Sequence, residues 1–190
     1  AYLGYCDAVD IPIDGISQRV PGYYAMACVA GQLGGRNARL PLTRVAISGL
    51  SRVYGTDDRF SEAQMDVAAD GGRYIFVNQG TAVWSRAAWS TDPSSIENRE
   101  LSITAQIDAM AKGARTLNRR FIGGRVITPN LLDEIATANQ AYAEFVTNNL
   151  VDYAEVASVL QDTTELDRVL VSYNVDPSYP ANRIKVTFVV

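Results

Sequence analysis

The chain has 190 residues, 47% hydrophobic and 20% charged, with a mean hydropathy of −0.04 and no histidine. This is an ordinary globular composition with room for one domain and its appendages. The missing imidazole excludes Ser-His-Asp and Cys-His triads, His-ligated zinc and HExxH helices, and a net charge of −4 argues against a dedicated nucleic-acid binder. Only two of the 17 basic residues are lysines, Lys112 and Lys185, and neither lies in a P-loop, Schiff-base or Ser-x-x-Lys motif. Cys6 and Cys28 have no CxxC spacing and read as buried free thiols. No apolar run reaches the roughly 20 residues needed to cross a bilayer, so membrane insertion is not expected. The start lacks an initiator Met and a charged n-region, which suits a processed chain or a piece of something longer.

In chain order, residues 1–22 read as an N-terminal arm or linker strand punctuated by Pro12, Gly15, Pro21 and Gly22. Tyr23 to Leu33 is small and apolar and suits a buried helix stopped at Gly34-Gly35. Pro41 to Ile47 leads into a short buried strand. Ser61 and Gln64 form a capping box for a helix to about Asp70, ended by Gly71-Gly72. Two strands follow, the first at Tyr74 to Val77 and apolar enough to be buried on both faces, the second at Thr81 to Ala88.

The clearest periodicity comes next. Ile103, Ile107, Met110, Ala114, Leu117 and Phe121 are spaced by alternating fours and threes, which puts them on one stripe of a long helix. Thr128 as N-cap and Pro129 at the first position open a second helix, with Leu131, Ile135, Ala138, Tyr142 and Phe145 on its stripe. Strand-like runs then fall at Tyr153 to Leu160, Arg168 to Val175 and Arg183 to Val190. The fold class expected is α/β (α+β): a mixed sheet packed with two long helices, with a body over 23–175 and a C-terminal arm strand over 176–190. An unpartnered strand ending Phe188-Val189-Val190 would template aggregation, so it either closes its own sheet or augments a neighbour's.

No constellation for chemistry emerges, and no catalytic residue, metal site or cofactor is expected. Gly31 to Gly35 ends a helix, so its dipole is wrong for phosphate. Asp57-Asp58 sits in a loop and Asp133-Glu134 in a first helical turn, where turns and dipoles explain acids. Trp84 and Trp89 read as core or interface anchors beside Arg86. The basic cluster Arg115, Arg119, Arg120 and Arg125 reads as a solvated or ion-paired face, with the first three as possible interface charges.

Several stretches, in order, resemble phage contractile-tail sheath proteins. They are Pro21-Gly22-Tyr23-Tyr24-Ala25, Pro41-Leu42-Thr43, Ser61-Glu62-Ala63 to Gly71-Gly72-Arg73-Tyr74-Ile75-Phe76, and Arg99-Glu100-Leu101-Ser102-Ile103 with Asp108. The ending Asp176-Pro177 to Pro180-Ala181-Asn182-Arg183-Ile184-Lys185-Val186-Thr187 continues the series. Ser90-Thr91 stands where the family often has paired threonines, and sheath proteins are commonly longer. The resemblance implies a virion structural protein, not an enzyme: a homo-oligomeric sheath of stacked rings or a helix around a tail tube, contracting to drive the tube through a host envelope. Its implied partners are the tail tube, baseplate and tail terminator proteins, and its place is the phage tail, assembled in the host cytoplasm. It implies terminal arms that add strands to neighbouring subunits, here Val186, Thr187, Phe188, Val189 and Val190 and, near the start, Val9, Ile11 and Ile13. The alternatives are another baseplate or capsid-associated protein and a carboxylate-dependent hydrolase using Asp57 or Asp58.

Overall fold

The computed structural model describes residues 4–181, so the expected arm strand Val186 to Val190 lies outside the described residues. The described chain divides into two compact units, one of residues 4–104 with 180–181 and one of Ala105–Tyr179.

The first unit opens with β1 (Gly4–Tyr5), β2 (Ala8–Ile13) and β3 (Ile16–Pro21). Residues 8–21, within the segment read as an arm or linker strand, fold back on themselves as a hairpin. Asp14 and Gly15 have φ of 51° and 78°, the two left-handed residues that a two-residue type I′ hairpin turn requires. The turn sets the register Ile13 opposite Ile16 and Val9 opposite Val20. After α1 (Tyr23–Gly34), β4 (Arg52–Tyr54) pairs with the other side of β2 over Ala8 to Asp10, giving the order β3-β2-β4. Helix α1 buries only Ala25 and Val29, and Tyr23 is 69% exposed, so it is far less enclosed than its composition suggests.

A capping box opens α2 (Glu62–Asp70): the Gln64 amide N–H donates to Ser61 Oγ at 3.4 Å and the Ser61 N–H to Gln64 Oε1 at 2.9 Å. Next come β5 (Tyr74–Gln79) and β6 (Ala82–Ala87), antiparallel, with β1 parallel on the other side of β5. Tyr74, Ile75 and Phe76 are all buried, as their unbroken apolar run requires, and the two-residue strand period assigns them to separate clusters. Tyr74 and Phe76 join Val9, Val29, Val53 and Leu101, while Ile75 meets Met65 and Ala69 of α2. The strand expected before Ile47 is reduced to one bridge, Ala46 to Trp84, with Ile47 buried beside it. A single turn, α3 (Ile96–Arg99), precedes the long helix.

Helix α4 (Leu101–Asn118) begins in the first unit and supplies the second, which adds a 3-10 turn at Arg119–Phe121, α5 (Pro129–Val146), β7 (Tyr153–Gln161) and β8 (Val169–Asp176). Thr128 Oγ1 accepts from the Leu131 N–H at 3.3 Å and Pro129 occupies the first turn, so α5 starts where the sequence indicates. Strands β7 and β8 form an antiparallel hairpin with a bulge between Val156 and Ser158, and α5 packs on β7. Met110, Ala143, Val146, Val151 and Ala154 form the core of this unit. The fold is α+β, and the strands among the described residues lie in three small sheets.

Candidate functional site

The expected site residues separate. Val9 is fully buried, with β3 on one side and β4 on the other, so the strand is already paired within the subunit at that point. Among the described residues Ile11 and Ile13 pair only with β3, and Ile13 with Ile16 forms an exposed apolar hairpin tip, 39% and 67% accessible. The Asp14-Gly15 turn brings residues 16–21 back as one of the two partners of β2 at Val9.

Asp57 and Asp58 are committed to local structure. Asp57 accepts from the Asn78 backbone N–H at 2.9 Å and from the Asn78 side-chain amide at 3.0 Å, tying a loop to β5. Asp58 accepts from the Gly55 N–H at 2.8 Å. Both therefore serve the turn chemistry common to aspartate. Among the described residues, no cluster of three or more Cys, Asp or Glu could hold a metal ion, and no helix is long and apolar enough to cross a membrane.

The second unit contains a surface suited to another chain. Strand β8 is paired with β7 alone, so eight residues of its other edge have no strand partner among the described residues. The alternating residues Val169, Val171, Tyr173 and Val175 point one way, and across from them stand Ile107 and Met110 of α4. Between them lies an open apolar groove of about 990 Å3, with Arg115 and Arg119 at its rim. An extended strand rises about 3.3 Å per residue, so the free edge is roughly 26 Å long.

Three polar pins hold the walls of this groove. Asn139, fully buried in α5, exchanges hydrogen bonds with the Asn118 amide at 2.8 and 2.9 Å, donates to the Ile135 carbonyl at 2.7 Å and accepts from the Tyr173 hydroxyl. All four of its hydrogen-bonding positions are used, and α4, α5 and β8 are tied in one register. The Tyr142 hydroxyl donates to the Met110 carbonyl at 3.0 Å over Gly113, where a Cβ would lie 2.0 Å from the Tyr142 hydroxyl oxygen. Gln106, also fully buried, donates to the Ser178 carbonyl at 3.1 Å and accepts from its N–H at 2.8 Å, fixing the chain beyond β8. Burial pushes the Tyr173 hydroxyl up to about 12, with Tyr142 adding to the shift.

Asn139 and Gln106 were not singled out by sequence. Asn139 nevertheless stands four residues after Ile135 and four before Ala143, a polar side chain in the apolar phase of α5. That is the one signal that marks it. Arg115, Arg119 and Arg120 are all exposed, and Arg120 stacks on the Phe121 ring at 4.8 Å.

This α+β arrangement is the fold of contractile-system sheath proteins. The sheath tail protein of Desulfitobacterium hafniense superposes with a TM-score of 0.67 at 15% identity, over 93% of this chain and 42% of that one. The helical sheath of the anti-feeding prophage in its contracted state gives 0.74 at 13% identity, over 99% and 55%. In sequence, the chain is 28% identical over 172 residues to the tail sheath protein of Mycobacterium phage Bxz1, across 88% of this chain and 29% of that protein. The resemblance to contractile tail sheath proteins thus holds in both sequence and fold. The chain spans under a third of the curated relative and about half of the solved sheath chains. No family model matches.

Proposed function

We propose that this chain is the sheath-type portion of a contractile tail subunit, which polymerises around a tail tube and contracts to drive it through a host envelope. The observation that carries the reading is the similarity to the phage Bxz1 tail sheath protein across 88% of the chain, together with the sheath fold. The role is structural, with partners in the tube, baseplate and terminator proteins and a place in the phage tail. The free edge of β8 beside an apolar groove supports strand addition from a neighbouring subunit, because an unpaired edge with an apolar face is stabilised by an incoming strand. The C-terminal segment alternates polar and apolar residues from Arg183 to Phe188, in the way such a strand needs. Strands exchanged between subunits would keep rings connected while they shift.

Negative-stain microscopy of the purified protein tests the reading: striated hollow tubes are expected, and a persistent monomer under all assembly conditions would refute it. Deleting Phe188 to Val190 is expected to abolish tubes while leaving the circular dichroism spectrum unchanged. Tubes that form normally without these residues would remove them from the arm role.

A further inference from the structure

We propose that a second copy of this chain docks through oppositely charged helix faces of the 105–179 unit, with Lys112, Arg115 and Arg119 of one copy against Asp133 and Glu144 of the next. The inference rests on the self-association proposed above and adds a charged contact at the rim of the groove assigned there to an incoming strand.

From Lys112 onward α4 and its 3-10 extension are basic, and α5 is acidic. Between Asp108 and Asp133 the sequence holds Lys112, Arg115, Arg119, Arg120 and Arg125 and no acid, whereas α5 carries Asp133, Glu134 and Glu144 and no base. Lys112, Arg115 and Arg119 are spaced by three and four, so they share one stripe of α4 and its 3-10 extension, and all three are exposed. None makes an ion pair among the described residues, in contrast to Arg125, which meets Glu134, and Arg168, which meets Asp162 and Glu165. Arg120 is occupied by the Phe121 ring. On α5, Asp133 has no ion-pair partner among the described residues, and Glu144 accepts only from the neighbouring Gln140 amide at 3.2 Å.

The two faces do not neutralise each other within a subunit. Arg115 and Arg119 border the groove opposite β8, whose lining also holds Asp167 and Glu165, the latter paired with Arg168; Asp133 and Glu144 border a shallow depression beside Val156 and Ser158 of β7, and Asp133 a further one with Arg120 and Arg125. The Asn118–Asn139 and Tyr142–Met110 bonds fix α4 against α5 and keep the faces apart. On α5 the two acids lie about 16 Å apart at 1.5 Å per residue, and the cations span about 10 Å along α4, a difference that flexible Lys and Arg side chains cover. Exposed Thr137 and Ala141 lie between the acids and let another helix approach closely. A contact that joins two different faces is heterologous, and such contacts generate rings or helical arrays. Because all the charges are exposed, the contact selects orientation and partner and weakens with salt.

The test is a charge reversal with rescue, read by sedimentation velocity and microscopy at low and high ionic strength. K112E/R115E/R119E and D133K/E144K are each expected to weaken wild-type self-association at least tenfold without altering the melting temperature, since every substituted side chain is exposed. Mixing the two reversed proteins is expected to restore association, because each then offers the face the other lacks. K112Q/R115Q/R119Q should be intermediate and nearly independent of salt. Wild-type tubes with reversed variants that assemble equally well would overturn the pairing and leave the sheath reading in place. Loss in both variants with no rescue on mixing would also overturn the pairing. A wild-type protein that stays monomeric at every ionic strength would overturn both.

Discussion

Replacing Asn139 by alanine removes all of its hydrogen bonds at once and leaves the Asn118 amide and the Tyr173 hydroxyl facing a gap. An unsatisfied buried polar group costs about 1–3 kcal/mol, so N139A is expected to destabilise the protein by about 2–4 kcal/mol, measurable as a lowered urea midpoint. N118A should be less damaging on its own, and the double variant should cost less than the sum, since the two side chains share bonds. Gly22 shows the same dependence on near neighbours in the first unit: a Cβ there would lie 2.0 Å from the Cys6 backbone carbonyl oxygen. The Cys6 thiol donates to the Gly22 carbonyl at 3.3 Å, and burial, with Asp7 adding, pushes its pKa up to about 11, so it stays protonated and poorly nucleophilic at neutral pH. Neither Asn139 nor Gly22 can be ranked from composition, because what matters is which atom of a distant residue stands within 3 Å.

At the scale of elements, the start of α2 rests on its capping box, and S61A is expected to cost about 1 kcal/mol, seen as a lower midpoint in denaturant without a change in slope. The β7–β8 hairpin is closed by a carboxylate. Asp162 accepts from the Thr164 N–H at 2.7 Å and from Arg168, and these bonds hold its pKa below the usual aspartate value. Its stabilisation is therefore complete above the unfolded-state pKa of about 3.9 and is lost as the pH falls through the folded-state value. Thermal melts should show D162N less stable than wild type at pH 7, with the difference shrinking at pH 3. Helix α5 illustrates what periodicity does and does not reveal. Its start, length and general apolar stripe were legible from Thr128, Pro129, Leu131 and Ile135, but the stripe's phase was not. The expected Phe145 is 68% exposed, and the buried positions are Asn139, Ala143 and Val146. Packing against β7 selected that face, and β7 is not part of the helix's own pattern.

Across the whole molecule, one buried and one half-buried tyrosine tie stability to high pH. Burial, with the Glu100 carboxylate adding, pushes Tyr74 up to about 12 in the first unit, and burial does the same for Tyr173 in the second. A tyrosine whose folded pKa is raised contributes stability that is complete below the unfolded pKa of about 10 and is lost as the pH rises towards 12. Wild-type melting temperature is expected to fall across that window, and Y74F to flatten part of the fall. A wild type and a Y74F protein with identical alkaline profiles would contradict it. The sequence by itself determined the α+β class, the helix starts at Ser61 and Thr128, the doubly buried strand at Tyr74 to Phe76 and the order of the motifs shared with sheath proteins. The helix starts and the strand follow from residues within one turn or one strand of each other, and the class and the resemblance from the order of such local signals along the chain. Only the tertiary structure decided that residues 8–21 close into a hairpin, that β8 keeps a free edge beside a groove, and that the cations of α4 and the acids of α5 occupy different faces. Those features depend on contacts between segments far apart in the chain, where the outcome is set by which partner is nearest in space.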